Sequence, residues 1–213
     1  MQEQTGILGA PIGHITLLRG HTDTGKTTAM IELAMDSQRQ GRLPAFVITE
    51  MKWSWDHVIQ MGFEVEETID ESTGEVSYNG NFIYIDRGTL NSIEDVAAFI
   101  NDLFDEQKRG NLPYGLDIFW DSVGSIPCEL SLKSSKNNNE WNAGAMSTQF
   151  ANNVNQKITL SRKISSPYTN SLICVDKVWV AKPENPMSLP KMKNKNGESM
   201  AFDCSLIFIL ILS

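Results

Sequence analysis

Cysteine is scarce in this chain, and its spacing counts against two architectures. Only three occur among 213 residues, Cys128, Cys174 and Cys204, far apart and without a C-x-x-C pair. That argues against a disulfide framework and a zinc site, and a reducing, cytoplasmic compartment is the expectation. Long apolar runs are lacking too. Met1-Gln2-Glu3-Gln4 has no basic leader, and no apolar stretch follows it, so no secretory signal is read. The run Leu206–Leu212 is too short for a bilayer and reads as a buried strand, so no membrane partner is expected. It stops abruptly at Ser213, so a truncated or minimal chain is the expectation. Positive charge is in deficit: 18 Lys and Arg face 26 Asp and Glu, for a net charge of −8. Taken alone, that argues against wholesale nucleic-acid binding. The distribution says more than the sum. Lys177, Lys182, Lys191, Lys193 and Lys195 fall close together with only Glu184 among them, whereas Glu64–Glu75 is strongly acidic. No internal repeat is visible. At 41% hydrophobic and 21% charged residues, one domain spanning 1–213 with a sizeable core is expected.

What is present is led by Gly20-His21-Thr22-Asp23-Thr24-Gly25-Lys26-Thr27, which satisfies G-x-x-x-x-G-K-[ST] at every specified position. Two glycines let backbone N–H groups wrap a polyphosphate as an anion nest. Lys26 reaches the β- and γ-phosphate oxygens in such a loop, and the Thr27 hydroxyl ligates Mg²⁺. The positive end of the next helix adds to the same field. The flanks agree with this reading. His14–Arg19 is a β-branched and apolar run, and Thr27–Gln40 lacks Pro and Gly until Gly41.

Strand and helix signals then alternate, the pattern of a parallel sheet with crossover helices. Strands are expected at 45–49, 81–86, 116–120, 171–175 and 202–212. Helices are expected at 53–61, from a Ser92 cap, and over about 143–164. The segment 182–197, with Pro183, Pro186 and Pro190, reads as irregular. Ser131–Asn142 reads as a polar loop. Both polar segments follow strands, so both are expected at the carboxyl edge of the sheet, where ligands of such folds bind. Asp121 ends an apolar strand and is the expected partner of Lys26 and Thr27 in holding Mg²⁺. Asp117 competes with it, but lies early in the strand, solvated or at its base. Glu50 follows the second strand, where a carboxylate accepts a proton from water attacking a γ-phosphate; a plain surface glutamate is the alternative.

These residues together resemble the ATPase core of the RecA-type recombinases, including the phage UvsX-like branch. The likeness rests on Gly9–Ile15, His21–Thr28, Ala45–Glu50, Asp121–Ser125 and Asn196–Phe202. It implies an α/β P-loop NTPase fold of RecA type, with a central, mostly parallel twisted sheet flanked by helices on both faces. It implies a DNA-dependent ATPase using ATP and Mg²⁺ for pairing and strand exchange, in recombination and repair. By the same resemblance Gly20, His21, Thr22, Asp23, Thr24, Gly25, Lys26, Thr27 and Thr28 hold the phosphates. Thr27 and Asp121 hold the metal, and Glu50 is the general base beside Lys26. His57 falls where the family stacks adenine, with Trp53 and Trp55 as neighbouring candidates. Lys177 stands where the family carries an amide or histidine that senses the γ-phosphate. Two DNA-binding loops are implied at 125–142 and 177–197, with Lys133, Lys136, Lys191, Lys193 and Lys195 on the phosphate backbone. Single-stranded DNA and a homo-oligomer, filament or ring, are the implied partners, in a bacterial or phage-infected cell. A DnaB-like helicase motor and a non-hydrolysing ATP-binding mediator remain the alternatives.

Overall fold

The computed structural model describes residues 9–129, 155–162, 167–181, 191–194 and 204–210. In chain order its elements are β1 Ile15–Gly20, α1 Lys26–Arg39, β2 Leu43–Ile48, α2 Trp55–Gln60, β3 Glu66–Ile69, β4 Val76–Asn79 and β5 Ile83–Asp86. They continue as α3 Ile93–Arg109, β6 Leu116–Asp121, α4 Gln156–Ser161, β7 Ser171–Ala181, β8 Lys191–Asn194 and β9 Leu206–Leu210. Six strands form the central sheet in the order β5-β2-β6-β7-β1-β9. Every neighbouring pair in that order runs parallel. The crossovers needed by parallel pairing place helices on both faces.

Alternation along each strand sorts the core into two halves. Leu17, Ala45, Val47, Ile118, Trp120, Leu172 and Cys174 face α3, whose Ile93, Val96, Ile100 and Leu103 recur at helical spacing. Leu18, Phe46, Ile48, Phe119, Ile173 and Val175 face the other side, against Met30, Ile31 and Ala34 of α1 and Val58 of α2. Strands β2 and β6 are buried at every position. That is why they read as near-continuous apolar runs rather than alternating ones.

The structure departs from the sequence expectations in four places. The C-terminal run, expected as a buried strand, is the edge strand β9, in which Ile209 is exposed. The strand expected at 171–175 runs on to Ala181, past the end of its parallel partners, because Val178–Ala181 pairs antiparallel with Lys191–Asn194. Residues 191–194 are therefore strand, not irregular chain. The prolines at 183, 186 and 190 all precede β8, so none removes one of its ladder donors. The acidic stretch also holds structure: β3 and β4 pair antiparallel from Glu66↔Asn79 to Ile69↔Val76. This hairpin is exposed at nearly every position, so no apolar pattern advertised it. Asp117 takes the second of its two expected placements, at the base of β6, where it is buried and Arg42 meets it at 2.6 Å. The expected 131–142 loop and most of the 143–164 helix lie outside the described residues.

Candidate active site

The Gly20–Thr27 turn leaves β1 at the carboxyl edge of the sheet and enters α1 directly. Its two glycines are required for different reasons. A Cβ on Gly20 would lie 2.6 Å from both the Leu210 carbonyl oxygen and Thr24 Oγ1, so the packing of β9 beside the turn demands a hydrogen there. Gly25 has open space around it, but sits at φ 81° as the N-cap of α1, a left-handed conformation that costs a side chain dearly. Asp23 takes the same region at φ 61°. Thr24 Oγ1 donates to the His21 carbonyl at 2.9 Å, and Lys26 Nζ donates to the same carbonyl. Both side chains close the turn on itself.

Strand order decides what faces this turn. β7 lies between β1 and β6, and β2 is the next strand after β6. Thr27 Oγ1 donates to Asp121 Oδ2 at 2.6 Å. Asp121 is buried, and its carboxyl is pushed up to about 6, by that burial first and by the charge of Glu50 second. The Thr27 bond and the Lys26 charge pull the other way. The Asp121–Ser122 peptide bond is cis. Ser122 Oγ donates to Glu50 Oε1 at 2.9 Å, while the Thr49 and Glu50 amides both donate to the Asp121 carbonyl, at 2.7 and 3.1 Å. The first turn of α1, the end of β6 and the residues just past β2 thus meet in one hydrogen-bonded row.

The row lines a cleft of about 710 Å³ whose walls also include Lys26, Trp53, His57, Arg87 and Asp176. His57 reaches Thr28, with Nε2 3.4 Å from Oγ1. Trp53 lines the cleft; Trp55 instead stacks on Tyr78 of the hairpin at 4.7 Å and is not among the lining residues. At the sensor position the Lys177 backbone pairs with Gly20, one strand away from the turn. Of the lysines expected on DNA, Lys191 and Lys193 lie on β8, while Lys133, Lys136 and Lys195 lie outside the described residues. Arg87, one residue past β5 on the same edge, was missed from the sequence although its strand-end position carried the signal. Ser122, Thr49 and Ser125 carried no signal of their own beyond the Asp-Ser pair.

A parallel α/β sheet with a phosphate-loop sequence motif and paired carboxylates at its carboxyl edge is the class these features define. Within it, the chain is similar to RecA proteins: 28% identical over 115 residues to that of Arthrobacter sp. (strain FB24), covering 52% of this chain and 33% of the relative. Against Protein RecA of Ectopseudomonas oleovorans the identity is 30% over the same length, covering 52% and 33%. Against that of Paenarthrobacter aurescens it is 27%, covering 52% of this chain and 53% of the relative. The chain therefore spans a third to a half of the length of these curated relatives. No family model matches it. The similarity supports a RecA-like relationship at a distance. Among the described residues no helix is long and apolar enough to cross a membrane.

Proposed function

We propose that this chain is a RecA-type, Mg²⁺-dependent ATPase stimulated by single-stranded DNA, acting in homologous pairing and strand exchange as a homo-oligomer. The observation that carries the reading is the row Thr27–Asp121–Ser122–Glu50, closed by bonds of 2.6 and 2.9 Å beside the Gly20–Thr27 turn. Residues Gly20 to Thr28 would surround a triphosphate, with Lys26 supplying the cation. Thr27 and Asp121 would hold Mg²⁺. Both offer hard oxygen donors, and among the described residues no group of three or more His, Cys, Asp or Glu competes for it. One carboxylate and a hydroxyl, with substrate phosphates, suit that ion, which would offset charge on the phosphates. Glu50 accepts the proton of the attacking water, and Ser122 holds its carboxylate in place. His57 would lie against the base and Lys177 near the γ-phosphate. Lys133, Lys136, Lys191, Lys193 and Lys195 would track the DNA backbone.

ATP turnover by the purified chain, with and without single-stranded DNA, tests this. DNA should raise turnover. Glu50→Gln should lower kcat about a hundredfold or more while nucleotide still binds, and Lys26→Ala should weaken nucleotide binding itself. Turnover indifferent to DNA would sink the recombinase reading; full activity in Glu50→Gln would remove the general base.

A further inference from the structure

Next to Ser122, the partner of Glu50, lie two hydroxyls that the phosphate chemistry does not use: Thr49, in the core, and Ser125, on the cleft wall. Thr49, one residue past β2, is fully buried. Its Oγ1 donates to the Ser122 carbonyl at 2.8 Å, accepts from the Trp120 indole Nε1–H at 3.0 Å, and lies 2.6 Å from Ser125 Oγ. Ser125 Oγ is also 2.7 Å from the Ser122 carbonyl. Two hydroxyl protons and one indole proton are therefore shared among three oxygens, an arrangement with no lone donor left over. Around it, the Thr49 and Glu50 amides grip the Asp121 carbonyl. Val123 N–H donates to the Val175 carbonyl at 3.1 Å, anchoring the far side of the same turn to β7.

The consequence concerns Ser122. Its hydroxyl holds Glu50 and its carbonyl is held by Thr49 and Ser125. With both ends fixed, the Ser122 side chain has little freedom to swing, and neither has the carboxylate bonded to it. We propose that Thr49 and Ser125 are positioning residues for Glu50, acting through Ser122, with the Trp120 indole locking the Thr49 rotamer from the core. The proposal rests on the general-base reading of Glu50. It adds that the aim of that base is set by a triangle of the buried Thr49 hydroxyl, the half-buried Ser125 hydroxyl and the Ser122 carbonyl, reaching from the end of β2 into the turn after β6. The physical reason is that a general base works only within about one hydrogen bond of its proton, and misplacement by about 1 Å costs up to about a hundredfold.

The test uses the full chain. Ser125→Ala and Thr49→Val should each lower kcat about tenfold with KM changed less than about twofold. Thr49→Ser, which keeps the hydroxyl, should recover most of the loss. In a Glu50→Gln background neither change should lower kcat further, since a base already removed has no aim to lose. A readout independent of turnover is the Trp120 indole N–H resonance in ¹⁵N-labelled protein, assigned with Trp120→Phe. It should shift in Thr49→Val and Ser125→Ala and stay near its place in Thr49→Ser. The proposal is overturned if folded Ser125→Ala keeps wild-type kcat while Glu50→Gln is inactive, or if the losses multiply with Glu50→Gln. An unmoved indole resonance in Thr49→Val overturns it as well. Full activity in Glu50→Gln would instead bring down the general-base reading, and this inference with it.

Discussion

Arg42 and Asp117 form an ion pair at the base of β6, the end of the strand opposite Asp121. Arg42 Nε and Nη2 donate to the two Asp117 oxygens at 2.7 and 2.6 Å, and Nη2 also serves the Leu116 and Thr169 carbonyls. A Cβ on Gly115 would lie 2.4 Å from Arg42 Nη1, so glycine keeps room for the guanidinium. Both side chains are nearly buried, at 13% and 11% exposure. Removing one partner strands the other charge, so Arg42→Ala should cost about 3–5 kcal/mol. Urea denaturation measures it; the double change Arg42→Met with Asp117→Leu should cost less than either charge removed alone. Tyr84 makes a second residue-scale prediction. Its phenol is pushed up to about 12, by burial first and by the charge of Asp86 second. Below its ordinary value of about 10 it is protonated folded or unfolded, and contributes no slope. Between about 10 and 12 the unfolded chain sheds a proton that the folded chain keeps, so stability falls as pH rises. Tyr84→Phe should flatten that alkaline decline in melting temperature, and an unchanged decline would exclude Tyr84 as its source.

At the scale of elements, α3 is, among the described helices, the one most fully specified by its own residues. Ser92 Oγ accepts from the Asp95 amide at 3.2 Å, Asp95 Oδ2 accepts from the Ser92 amide at 2.8 Å, and Gly110 ends the helix at φ 83°. Hydrogen bonds from the Asn91 amide and from Ser92 hold the Asp95 carboxyl below its usual range despite some desolvation. Ser92→Ala breaks the box and should cost about 1 kcal/mol by chemical denaturation. The cap and the Ile93, Val96, Ile100 spacing were legible because both are local. The β3–β4 hairpin and β8 were not. One is an exposed acidic ribbon without apolar alternation. The other is a Lys-rich segment whose strand character comes from pairing with the overrun of β7.

For the whole molecule, the two lysines on β8 carry the prediction. If the β7–β8 ribbon contacts single-stranded DNA, Lys191→Ala with Lys193→Ala should weaken binding and lower the salt slope by roughly 1.4. Unchanged affinity and slope in a filter-binding titration would remove the ribbon from the DNA surface.

The sequence alone determined the alternation of strands and helices, the Gly20–Thr27 turn, and the placing of Glu50 and Asp121 at strand ends, because each depends on residues within a few positions of one another. The tertiary structure alone decided which of these ends meet. Thr27 and Asp121 are 94 positions apart, and Ser122 and Glu50 are 72 apart. Only the order β2-β6-β7-β1 brings them into one row. The same order buries Asp121 and lifts its carboxyl to about 6, because desolvation depends on what surrounds a side chain and not on its neighbours in the chain. It also closes the Thr49–Ser125 triangle next to Ser122, since hydroxyls carry no periodic signal and acquire partners only when strands are laid side by side.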